Sequence, residues 1–198
     1  MRKALILGIT LLLMCGVASY TYAEVNINPS QKGTEITSGK GSTTLDGSNA
    51  KTSVADSAGG NADVSYDAET GKVNVNATSG SSTFTYGIAK LFLDEGDGVQ
   101  LGAEGEFRTM SIAVTKGEVV ATFPDRSKII MSEGSSVLLV MVADGNYLMN
   151  VISGEVLYTD PEGNTRTLTT GSAPVLVQGF GLIPGWRSAE SERNPATP

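Results

Sequence analysis

The 198-residue chain has no histidine, one cysteine (Cys15) and a formal net charge of −7. Without histidine there is no Ser-His-Asp or Cys-His triad and no histidine-ligated zinc. An acidic chain with no basic cluster is a poor match to nucleic acid or to an anionic membrane surface.

The chain opens on Arg2 and Lys3, followed by a largely apolar run from Ala4 to Ala18. Thr21-Tyr22-Ala23 then places small residues where a signal peptidase reads. This pattern predicts a secretory signal peptide over 1–23, cleaved near Ala23. The run falls short of the ~20 apolar residues that span a bilayer. Cys15 sits inside it and reads as an apolar residue of the signal. The expected location is therefore periplasmic or extracellular, with no membrane insertion after cleavage. Cleavage would remove two cations and no acid, leaving 175 residues at net −9 with no cysteine. Stability must then come from a core and a sheet, for which that length suffices.

Residues 24–85 are rich in Ser, Thr, Gly and Asn. Lys40–Thr44 and Ser57–Asn61 resemble flexible linker, and 26–61 read as weak strands or a mobile arm. Ala62–Tyr66 and Lys72–Ala77 alternate apolar with polar around an Asp67–Gly71 turn, which predicts a hairpin within 62–85. Residues 86–183 hold most of the large apolar side chains and are expected to form the main β domain. Residues 184–198 read as a disordered tail.

Inside the main domain the sequence repeats. Residues 110–140 and 147–177, aligned without gaps at an offset of 37, match at ten of thirty-one positions. Unrelated sequence of ordinary composition would match at roughly 2. The matches are Val114/Val151, Gly117/Gly154, Glu118/Glu155, Val119/Val156, Thr122/Thr159, Pro124/Pro161, Gly134/Gly171, Ser135/Ser172, Leu139/Leu176 and Val140/Val177. Strands are predicted near 110–115, 118–123, 128–132 and 136–142, and again near 147–152, 155–159, 165–169 and 174–178. The fold class is all-β: a β-helical roll, or a β-sandwich or jelly roll, built from a 37-residue internal repeat. If the copies are equivalent, Val119 and Val156 face the core, as do Val140 and Val177. Gly134 and Gly171 are expected in turns.

The stretch ATFPDRSKIIMSEGSSVLLV, residues 121–140, resembles the core of FecR-like domains, the periplasmic domains of ferric-citrate-type regulators. VISGEVLY at 151–158 and TTGSAPVLV at 169–177 resemble the strands that follow in that family. The likeness covers about 110–180. Arg126 stands where the family has a turn glycine. The regulators carry an anti-sigma segment before their membrane helix, and only Met1-Arg2-Lys3 precedes the apolar run here, so sigma-factor control in cis is not expected. The resemblance implies an exported, non-catalytic β domain that meets an envelope protein or polysaccharide as an interaction or sensing module. A structural, adhesin-like surface protein is the alternative.

No catalytic, cofactor or metal residue is expected. Glu118 and Glu155 could be the carboxylate pair of a carbohydrate-active enzyme, the least favoured reading. Their equivalence across the repeat argues against it, because acid and nucleophile need unlike surroundings. Both are expected to face solvent. The Asp94–Gly98 loop, with Glu104 beyond it, is too irregular for a calcium loop and reads as a hairpin turn between 88–93 and 99–101. Asn76-Ala77-Thr78 fits a glycosylation sequon. Trp186 is expected to close the core near the domain end.

Overall fold

A computed structural model describes residues 25–30, 33–38, 41–47, 51–56, 59–105, 107–142 and 145–179. The signal peptide expected at 1–23, Trp186 and the tail at 184–198 lie outside the described residues. Every described element is a β-strand, and the strands form two sheets.

The chain starts with two meanders. β1 (Val25–Ser30), β2 (Gly33–Ser38) and β3 (Gly41–Leu45) enter the nine-stranded sheet. β4 (Lys51–Ala55), β5 (Asn61–Asp67) and β6 (Lys72–Ser79) enter the eight-stranded one. Strand pairs then alternate between the sheets. β7 (Ser82–Tyr86) and β8 (Ala89–Leu93) join the first, and β9 (Gly98–Glu104) and β10 (Thr109–Lys116) the second. β11 (Glu118–Thr122) and β12 (Lys128–Ser132) return to the first, followed by β13 (Ser136–Met141) and β14 (Tyr147–Ser153) in the second. β15 (Glu155–Thr159) and β16 (Thr165–Thr169) extend the first again, and β17 (Val175–Val177) ends the second. Every pairing is antiparallel except β1 with β7, where the first meander meets the alternating part.

The sheets enclose one core that runs from Val25 to Val177. Of the architectures open at the sequence level, the sandwich is the one built. Each half-turn of the chain is a hairpin, so neighbouring strands pair antiparallel instead of stacking parallel as in a β-helix. Neither sheet closes into a barrel: β3 and β16 flank one sheet, β4 and β17 the other.

The repeat is real and has a third member. Each copy is four strands, taken from the eight-stranded sheet to two in the nine-stranded sheet and back. β10–β13 and β14–β17 are the copies seen in the sequence, and β6–β9 repeats the same path. Gly80, Gly117 and Gly154, spaced by 37, all have positive φ where the chain leaves the eight-stranded sheet. At Gly117 a Cβ would collide with the Asp97 carboxylate, and at Gly154 it would come within 2.9 Å of Ser135 Cα. The third copy escapes an ungapped alignment because its β7–β8 turn, Gly87-Ile88, is one residue shorter than Pro124-Asp125-Arg126.

Several expectations need correction. Val119 and Val156 are fully buried, as expected. Val177 is buried too, but Val140 is half-buried on the outer face, and its neighbour Leu139 is the core residue. Leu139 matches Leu176 in sequence, yet Leu139 is 0% and Leu176 48% exposed. Pairing shows why: Met110 opposes Leu139, and its repeat equivalent Tyr147 opposes Val177. Ala173-Pro174 in the second copy occupies the place of Ser136, and one extra residue inverts the faces of an aligned strand. Proline, which has no amide hydrogen for a ladder, sits just before the strand. Gly41–Thr44, expected as linker, lies in β3, and of the two readings of 26–61 the strands are the one built, with 25–56 contributing four of them to the shared core. The boundary expected at 85/86 falls inside the β7–β8 hairpin. The hairpin over β5 and β6 forms as expected, with Asp67 accepting from the Glu69 and Thr70 amides and from Thr70 Oγ1.

Candidate functional site

In a two-sheet stack the inward positions are committed to the core, so recognition falls to the outer faces and corners. Alternation should make the outer face polar. On the nine-stranded sheet it does so over β1, β2 and β3, where Asn26, Thr37 and Ser42 lie in one cross-strand row. It does not over the C-terminal strands.

There the central outward residue of four neighbouring strands is apolar. Phe92 on β8 opposes Val120 on β11, Val120 opposes Ile130 on β12, and Ile130 opposes Leu157 on β15. Phe92 is 39% and Leu157 40% exposed, with Val120 and Ile130 half-buried between them. The row is flanked by unlike charge. Lys90 and Lys128 stand on one side, in the register row of Thr122 and Thr159. Glu118 and Glu155 stand on the other, beside Ser132 and Thr169. Lys90 Nζ lies 5.9 Å from the Phe92 ring centre, within cation–π range.

This row was missed from the sequence, although a signal was present. Leu91-Phe92-Leu93, Val119-Val120-Ala121, Ile129-Ile130-Met131 and Val156-Leu157-Tyr158 are apolar triplets where strict alternation would place a polar residue in the middle. The outer face of the other sheet carries a second apolar group at its C-terminal end: Val140, Leu148 and Leu176 across β13, β14 and β17. Its N-terminal end is polar instead. An open depression of about 370 Å³ lies over β4, β5 and β6, lined by Lys51, Ser53, Asp63, Ser65 and Asn76 among others.

The acidic residues hold backbone. Glu118 and Glu155 are exposed, as expected, and lie on strands separated by β12. Asp94–Gly98 is not a hairpin turn. It crosses between sheets, because β8 pairs with β7 and β11 while β9 pairs with β6 and β10. Asp97 accepts from the Asp94 amide (2.8 Å) and the Glu118 amide (3.2 Å), and Asp94 accepts from Ser81 Oγ (2.6 Å). Among the described residues no three carboxylates gather in a metal-binding group. Asn76, the sequon asparagine, is exposed on β6.

Asp125 is the one buried carboxylate among the described residues. It accepts from Ser127 N and Oγ at 2.9 and 2.6 Å and from the Gln178 amide at 2.9 Å. It therefore ties the β11–β12 turn to the chain leaving β17, the last described strand. Burial and the Asp125 charge raise the pKa of Tyr158, against a hydrogen bond from Ser127 that lowers it. Tyr147 donates to Phe107 O at 3.0 Å, and Tyr86 packs edge-on against Phe107 with ring centres 5.3 Å apart. These contacts pack the side chains into the core.

No protein-family model and no curated protein matches the chain. Among solved structures it is similar to the TCP10c domain of Drosophila melanogaster Sas-4, at 14% identity over 74% of this chain and 99% of that one, with a TM-score of 0.15. It is also similar to the TCP10 domain of Danio rerio CPAP in complex with a peptide of Danio rerio STIL, at 13% identity over 78% and 98% of the two chains, with a TM-score of 0.16. Superpositions that poor carry no argument about this chain.

Proposed function

We propose that this chain is an exported, non-catalytic β module that acts by binding a protein of the cell envelope through the outer face of its nine-stranded sheet. The observation that carries the reading is the row Phe92, Val120, Ile130 and Leu157. Isolated exposed apolar side chains are ordinary, whereas a contiguous row rimmed by charge has the composition of a contact surface. Export rests on the N-terminal pattern. The FecR-like likeness over 110–180 agrees with a binding role. The carboxylates agree with it too, since Asp94, Asp97 and Asp125 are engaged with backbone and hydroxyl groups, and Glu118 and Glu155 lie on the rim of the row.

The adhesin-like reading draws on a different observation. The two-sheet stack continues through β1–β5, so the Ser/Thr-rich segment lengthens the body. It does so by meanders, however, and not by further copies of the 37-residue unit.

The test is a photo-crosslinking residue placed at Leu157 in cells that make the protein, with a second at Ser53 on the opposite outer face as control. A covalent protein adduct is expected from position 157 and not from 53. Absence of an adduct at 157, or equal labelling at both, would overturn the assignment of the face.

A further inference from the structure

We infer that the occupant of this face is a second copy of the same chain, with two nine-stranded sheets packed face to face about a twofold axis parallel to the apolar row. The inference rests on the binding-face reading above and names its partner. The argument is one of symmetry and charge. The row crosses four adjacent strands, three spacings of about 4.8 Å, so it extends roughly 14 Å. Its two flanks differ in sign: Lys90 and Lys128 on one side, Glu118 and Glu155 on the other.

A twofold axis along the row lays apolar row on apolar row and exchanges the flanks. The cationic side of each copy then meets the acidic side of the other. The strand position opposite Lys128 on its own strand is Ser132, which sits between Glu118 on β11 and Glu155 on β15. In the dimer, Lys128 of each copy therefore falls between Glu118 and Glu155 of the other. A twofold axis along the strands would instead place lysine on lysine and glutamate on glutamate. Like charges brought face to face at a contact repel. The surface is thus complementary to itself in one orientation and repulsive in the other, as an isologous dimer requires. Near-aligned strands in two stacked sheets are ordinary sandwich geometry.

The experiment is sedimentation velocity on the exported chain over a concentration series, with two charge variants. Lys128→Glu places acid against acid where β12 of one copy meets Glu118 and Glu155 of the other, and Glu118→Lys/Glu155→Lys places cation against cation at the same contact. All three positions are exposed, and both variants should melt like the parent. The parent is expected to dimerise reversibly, more weakly at high salt. Each variant alone should lose about tenfold or more in dimer affinity. Mixed one to one, the two variants should form heterodimers, because both contacts then join opposite charges. A parent that stays monomeric throughout would overturn the inference, as would a dimer indifferent to both variants or variants that fail to associate on mixing. If the chain is monomeric but Leu157 crosslinks to a different protein, the dimer falls and the binding face stands. If the chain is monomeric and Leu157 gives no adduct, both fall.

Discussion

Residues 25–67 and 73–177 build the same two sheets by different routes. The N-terminal part lays down three strands in one sheet before crossing, while the C-terminal part crosses after every pair. Their inner faces are alike: Val25, Ile27, Ile36 and Val64 on one side of the comparison, Ile112, Val119, Ile129 and Val156 on the other, all at most 2% exposed. Their outer faces are not. Asn26, Thr37, Ser42, Ser53, Asp63 and Ser65 face outward in the first part, and Phe92, Val120, Ile130, Leu157 and Leu176 in the second. The inner pattern builds the body, and the outer pattern decides what the body can meet. A chain selected only for folding would have no reason to place apolar residues outward on four successive strands of one half and none in the corresponding rows of the other.

The largest effect should test whether the two parts share one fate. Val119→Asp, Val156→Asp and Val64→Asp each bury an unpaired charge in the common core and should cost at least about 4 kcal/mol. Denaturant melts read by two probes, one in each part, should shift together for all three variants. If Val64→Asp unfolds the N-terminal part and leaves the C-terminal transition in place, the shared core is two cores and the comparison is between domains.

Stability against pH sharpens it next. Burial raises the pKa of Tyr86, and also of Tyr147 and Tyr158. A raised pKa means stability that is complete below the unfolded value, about 10, and is lost as pH rises above it. All three tyrosines lie in the C-terminal part, so the alkaline loss of stability should originate in that part's groups while both parts unfold together, and Tyr86→Phe should flatten that limb. On the acid side, hydrogen bonds lower Asp67 in the β5–β6 turn and Asp160 in the β15–β16 turn. Their stabilisation is present above about pH 4 and is lost as pH falls through the depressed values. Asp67→Asn and Asp160→Asn should therefore each shallow the acid limb, one in each part. Equal alkaline slopes in Tyr86→Phe and the parent would show that burial does not govern the base limit.

The smallest effect concerns one turn. Arg126 has φ of 72°, a left-handed conformation, at the position where the resembling family has glycine. Arg126→Gly should raise stability by about 1 kcal/mol, visible as a higher melting temperature. A loss instead would mean that the arginine side chain does more for the turn than its backbone strain costs.

Strand positions in the alternating part could be read directly from the chain, because period-two apolar spacing broken by glycine and proline has few other solutions. The equivalence of Val119 with Val156 followed from the repeat, as did the exposure of Glu118 and Glu155. Three features escaped. The strands of 25–56 have few large side chains, so their local pattern leaves weak strand and mobile arm open, and the pairing of β1 with β7 and of β4 with β5 decides for strands. The third copy, β6–β9, was hidden by a turn one residue shorter. The faces of Val140 and Leu176 were inverted by the extra residue at Ala173-Pro174. Local alternation dictates that a strand forms and that one of its faces is apolar. Which face turns inward depends on register against a partner strand, and register depends on loop lengths and pairings that lie far away in the chain. The apolar row shows the same division. Four triplets record that something apolar points outward, but only the order β8, β11, β12, β15 across the sheet places them side by side as one surface.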